Sequence, residues 1–207
     1  MVYITAYAVI ALIMQMASLN VAHLFLEKNK ERPINKIMKI VRLTVAFFCI
    51  LTVLLAWKNA NFPQMMLFII CCFFLSLFIF LDSASYCLPA LFTVPFFLVG
   101  CGFRFWFQQQ SMPEAVIVSI LLFLGLSFMR VVCNRQRRDE IFGMGDVYLI
   151  AGLGMWLSSP YVFLVVGVAA FLGMLFIKFT RRQVIPFAPF LCVITALMLF
   201  VPGVNFS

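Results

Sequence analysis

Seven acidic residues occur in the chain, and five of them have ordinary surroundings. Glu27 and Glu31 lie among lysines, and Asp139 and Glu140 follow Arg135, Arg137 and Arg138. Glu114 follows Pro113 at the start of an apolar run, where a negative charge suits a helix N-terminus. Asp82 and Asp146 differ. Asp82 closes the uncharged run from Asn59 to Leu81 and precedes a second one, Ser83 to Phe103. Asp146 follows Gly143-Met144-Gly145 and opens the uncharged run Val147 to Ile177. An ionisable group at membrane depth is costly and points to function by default. Alone, either aspartate reads equally well as an interfacial helix cap. Together they suggest paired-carboxylate chemistry. One carboxylate acts as base toward a water. The other, protonated, polarises a scissile carbonyl and then protonates the leaving amine. Gly143 and Gly145 lack Cβ atoms, so an extended peptide backbone could come close to Asp146.

Other reactive side chains offer no competing site. The seven cysteines (49, 71, 72, 87, 101, 133, 192) form no C-x-x-C pair and read as small apolar residues within spans. His23 is the only histidine, so no H-E-x-x-H zinc motif exists. Gly125-Leu126-Ser127-Phe128 is a poor match to G-x-S-x-G.

The elements that position the aspartates follow from composition. Of 207 residues, 65% are apolar and 11% charged, with 26 phenylalanines. Mean hydropathy is +1.12. A soluble domain is about half apolar and a quarter charged, so the expectation is an all-α polytopic membrane protein forming one integral domain over 1–207. Uncharged stretches place spans at Val2–Leu26, Leu43–Trp57, Asn59–Leu81, Ser83–Phe103, Ala115–Met129 and Val184–Ser207. Val147–Ile177, interrupted at Ser158-Ser159-Pro160, reads as a hairpin of two more. The first span reads as permanent, since it lacks the charged n-region of a signal peptide.

About eight transmembrane helices put both termini on one side. Thirteen basic residues fall on one set of loops: Lys28, Lys30, Arg32, Lys36, Lys39 and Arg42, then Arg130, Arg135, Arg137 and Arg138, then Lys178, Arg181 and Arg182. The other set holds only Lys58 and Arg104. The positive-inside rule makes the basic loops cytoplasmic and both termini outward-facing. The net charge of +8 is thus a topology signal and does not call for nucleic acid. Asp82 and Asp146, 64 residues apart, fall at the same cytoplasmic edge. The hairpin has 31 residues where two crossings need about 40, so either it is shortened or Asp146 lies below the interface.

Three blocks give the chain its resemblance to a known family. Leu81-Asp82 with Leu88-Pro89-Ala90-Leu91-Phe92-Thr93-Val94-Pro95 is the first. Gly143-Met144-Gly145-Asp146-Val147-Tyr148-Leu149, running to Leu157, is the second and contains the G-x-G-D motif of intramembrane aspartyl proteases. Ile185-Pro186-Phe187-Ala188-Pro189-Phe190-Leu191 is the third. From about residue 74 to the C-terminus the chain resembles the type IV prepilin peptidases. The resemblance implies an inner-membrane, multi-pass aspartic endopeptidase with periplasmic termini. It would cut the basic leader from type IV prepilins or pseudopilins at the cytoplasmic face, after a glycine. Asp82 and Asp146 would be its catalytic pair, with Gly143 and Gly145 in support. It implies no metal and no organic cofactor, names the prepilin and the lipid bilayer as partners, and leaves homo-oligomerisation open.

The chain departs from that family at Ala90, Tyr148 and Ala188, where Asp, Lys and Gly are common. Many members carry a tetra-cysteine zinc module after the first span, associated with N-methylation. Here the loop Glu27 to Arg42 has no cysteine, so cleavage without methyl transfer is expected. The helix dipole favours an ionised Asp146 at a helix N-terminus and a protonated Asp82 at a helix C-terminus. A proton-coupled transporter or channel is the alternative, but it requires acids across the bilayer, and the acids here lie at one edge.

Overall fold

The computed structural model describes residues 2–31, 37–58, 62–135, 143–180 and 185–199. Arg32, Lys36, Arg137, Arg138, Asp139, Glu140, Arg181 and Arg182, and the C-terminal segment 200–207, lie outside the described residues, so the loop assignments that rest on them do too. The described residues form eight α-helices: α1 (Val2–Lys28), α2 (Met38–Trp57), α3 (Phe62–Ser85), α4 (Ala90–Phe107), α5 (Met112–Arg135), α6 (Met144–Trp156), α7 (Ser159–Thr180) and α8 (Ala188–Met198). A single 3₁₀ turn, Gln109–Ser111, joins α4 to α5. Among the described residues there is no strand, as the absence of backbone partners in lipid requires. Six helices, α1 to α5 and α7, are long and apolar enough to cross a membrane, and α8 is a shorter apolar helix. The chain is a multi-pass membrane protein.

The helices correct several boundaries. Asp82 lies inside α3, because the helix continues to Ser85. Ser83 therefore does not begin the next span, which starts at Ala90 after Pro89. Arg104, read from sequence as an outward loop charge, lies inside α4. The hairpin breaks at Leu157, which is extended (φ −115°, ψ 151°). Pro160 then sits in the first turn of α7, where its missing N–H costs nothing.

The chain divides into two compact units, one up to Tyr86 and one from Cys87. In the first unit α1, α2 and α3 pack pairwise. α3 is its core helix: 72% of its apolar window is buried, against 28% for α1 and 33% for α2. A polar thread joins α3 to α1. Ser76 Oγ donates to Ser18 Oγ (2.9 Å), Ser18 Oγ donates to the Gln15 carbonyl (2.8 Å), and Gln15 Nε2 donates to the Cys72 carbonyl (3.3 Å). Lipid tails give helices no hydrophobic reason to associate, so such bonds and close packing hold them together.

In the second unit α6 is central, with α4 and α5 packed on it. Its residues from Leu149 to Leu157 are all buried. Small residues permit this. A Cβ on Gly154 would strike Ser119 of α5, and one on Gly100 of α4 would come within 2.8 Å of Met155 Cβ. Trp156 stacks on Phe96 (centroids 5.1 Å apart, 12° between planes) and donates Nε1–H to the Phe96 carbonyl at 3.0 Å. α8 packs on α7, where Phe176 and Phe190 rings meet at 5.5 Å.

Candidate active site

Asp82 belongs to the first unit and Asp146 to the second. Asp82 lies in the last turn of α3, only 5% exposed, with Leu81 and Ala84 buried around it. Its main-chain carbonyl accepts the Tyr86 N–H at 3.0 Å. Tyr86 stands in the left-handed region (φ 54°), which closes the helix at a cost usually spared by glycine. The end of α3 is therefore firmly set just beyond the carboxylate.

Asp146 lies in the first turn of α6 and is half-buried. Gly143 is the extended N-cap residue (φ −73°, ψ 144°). Asp146 Oδ2 turns back toward it, 3.7 Å from where a Gly143 Cβ would stand. The carboxylate thus overhangs the helix N-terminus, where the unpaired N–H groups and the dipole favour negative charge. A Cβ at Gly143 would make only ordinary contact.

Gly145 is different. A Cβ there would overlap the Leu88 main-chain oxygen and stand 2.6 Å from Leu88 Cβ. The space that the sequence offered to a substrate backbone at this glycine is filled by the protein's own chain. Gly145 lets the start of α6 press against Leu88-Pro89, the segment that leads into α4. That segment begins six residues after Asp82. Tyr148 stacks on Phe123 of α5 (5.8 Å, 18°). Its ring is one wall of an apolar cleft of about 360 Å³ between α4, α5 and α6, lined also by Thr93, Phe97, Ser119 and Met155.

The far end of α6 carries groups that sequence reading missed. Arg104 is 4% exposed. It donates Nε–H to the Met155 carbonyl (2.8 Å), Nη2–H to the Leu157 carbonyl (2.7 Å) and Nη1–H to Ser111 Oγ (2.9 Å). Glu114, at the start of α5, accepts a hydrogen bond from Ser159 at the start of α7. A signal for Arg104 was present: it stands between Phe103 and Phe105-Trp106-Phe107, where a lone charge needs a partner.

The chain matches the model of the type IV leader peptidase family over residues 67–178, just over half its length, a stretch that includes both aspartates. The Ile185–Leu191 block lies beyond the matched stretch. A leader peptide-processing enzyme of type 4 prepilin-like proteins from Escherichia coli O78:H11 is 34% identical over 91 residues, 41% of this chain and 33% of the relative. A prepilin leader peptidase/N-methyltransferase from Burkholderia pseudomallei (strain 1026b) is 32% identical over 127 residues, 58% of this chain and 41% of the relative. The chain therefore spans about a third to two fifths of the length of these curated relatives. No solved structure matches. With the family match covering more than half of the chain and both aspartates, this chain belongs to the type IV leader peptidase family.

Proposed function

We propose that this chain is an inner-membrane aspartic endopeptidase that removes the basic leader of type IV prepilins or pseudopilins at the cytoplasmic face. Asp82 and Asp146 are its catalytic pair. Asp146, at a helix N-terminus, is the base that takes a proton from the attacking water. Asp82, in the last turn of α3, is the protonated partner that polarises the scissile carbonyl and then supplies the leaving amine with its proton. The two titrate as a coupled unit.

One observation carries this reading: the G-x-G-D glycine at 145 is packed on Leu88, six residues past Asp82 in the chain. The motif thereby ties the helix bearing one aspartate to the segment that follows the other. α6 also supports it. Thirteen residues span about 20 Å at 1.5 Å each, against a hydrocarbon core of about 30 Å. A half-buried carboxylate on so short a helix sits where water and an apolar environment can meet.

The test is leader removal from a co-expressed prepilin. Asp82→Asn and Asp146→Asn are each expected to abolish processing, and normal processing in either would defeat the mechanism. The loop after α1 has no cysteine, so the product keeps an unmethylated N-terminus. Mass analysis of the mature pilin checks this, and N-methylation by this chain alone would refute it.

A further inference from the structure

We propose that Arg104 is a positioning residue that fixes α6 along its own axis, and so sets the depth of the Asp146 carboxylate. The catalytic consequence rests on the function proposed above, whereas the geometric consequence does not.

A helix that spans the bilayer has its depth set by matching its apolar length to the hydrocarbon thickness. At 13 residues α6 is too short for that constraint. Its depth must come from neighbours. Along its length Ser119 seats at Gly154, Phe96 at Gly152, and its own Met155 and Trp156 at Gly100. A polar lock at an end would complete this constraint.

The C-terminal end has one. The carbonyls of the last turn of a helix lack intrahelical donors, and a cation there also complements the dipole. Arg104 supplies both. Its planar fork takes the carbonyls of Met155, inside the last turn, and Leu157, just past it. The third donor is tied to Ser111 in the turn between α4 and α5. One acceptor on α6, one at its C-cap and one on the surrounding frame define a position, which a point charge such as lysine cannot reproduce. Trp156 adds a neutral bond to Phe96 on the same turn.

From Met155 back to Asp146 the helix rises by nine residues, about 14 Å. An α-helix is stiff over that length, so an axial shift at Met155 reaches Asp146 undiminished. A misplacement of about 1 Å can cost on the order of 100-fold in rate.

The experiment uses the full chain in lipid vesicles with Arg104→Lys and Arg104→Gln. Ser111→Ala, which removes one acceptor and no charge, serves as a milder variant if those two do not fold. A Met144→Cys reporter at the start of α6 is alkylated with a membrane-impermeant maleimide, and labelled sites are resolved by mass spectrometry. The expected result is a change of about threefold or more in the rate at position 144. The rate at native Cys87, exposed before α4, stays unchanged. Without the reporter, prepilin cleavage shows kcat down about tenfold or more and KM within about twofold. A wild-type rate at position 144 in the Arg104 variants would overturn the proposal. So would equal changes at 144 and 87, which mean general loosening. If the unmodified chain cleaves no prepilin, the proposed function fails, while the labelling still decides whether Arg104 sets the depth of α6.

Discussion

α3 and α6 each carry one aspartate of the candidate pair, and they hold it in opposite ways. α3 is 24 residues long, is buried on nearly all sides between Cys71 and Asp82, and bears its aspartate in the last turn. α6 has 13 residues and bears its aspartate in the first. α3 is long enough to be placed by the bilayer itself. α6 is placed by specific contacts: Leu88 at Gly145, Phe96 at Trp156 and Arg104 at the final carbonyls. Equal side chains are thus given unequal surroundings, and division into acid and base roles requires that inequality.

The comparison is most sharply tested by the aspartates themselves. Each Asn variant is expected to lower processing by at least about 100-fold, the usual scale of an acid–base contribution. The losses should differ. An Asn amide still donates a hydrogen bond as a protonated carboxyl does, so Asp82→Asn retains more residual cleavage than Asp146→Asn. Single-turnover rates on a synthetic prepilin check this, and the reverse order would exchange the assigned roles.

The next effect separates the two motif glycines. Gly145→Val forces a side chain into Leu88, an overpacking that costs about 1–3 kcal/mol and displaces the start of α6. Cleavage should fall by about tenfold or more. Gly143→Ala, which meets only Asp146 Oδ2 at 3.7 Å, should stay within about threefold of the parent. Equal losses would mean that the glycines serve the substrate and not the packing.

Smaller effects compare the anchors of the two helices. Trp156→Phe keeps the stacking on Phe96 but removes the bond to its carbonyl, and should cost about 1 kcal/mol in a detergent unfolding titration. Ser76→Ala cuts the polar thread between α1 and α3 and should cost about 0.6 kcal/mol, the average for such bonds in lipid. Trp156→Phe should also lower kcat, whereas Ser76→Ala should not. A catalytic loss from Ser76→Ala would show that α3 too needs a side-chain lock.

Much of this was legible in the residues. Charge-free runs located the helices, because a polar backbone in lipid has few alternatives to the α-helix, but not all of their ends: α4 begins at Ala90 and not at Ser83, and α5 runs on to Arg135. The hairpin break at Ser158-Ser159-Pro160 was readable because proline and serine chemistry is local. Asp82 and Asp146 stood out because every other acid had a nearby explanation. The G-x-G-D motif was legible as a pattern, but the work of Gly145 was not. A missing Cβ leaves room for any backbone, and only the fold shows that Leu88 takes it.

By itself, then, the sequence determined the solvent, the helical class, the approximate element boundaries and the two acids that need explaining. These depend on local composition and on the cost of charge in lipid. The tertiary structure decided which helix is short and how it is held. It turned Arg104 from one of two outward charges into the clamp on α6, 51 residues away from its Met155 acceptor. Hydropathy counts a charge at its place in the chain, whereas a guanidinium acts at the carbonyls it reaches, and those are set by packing.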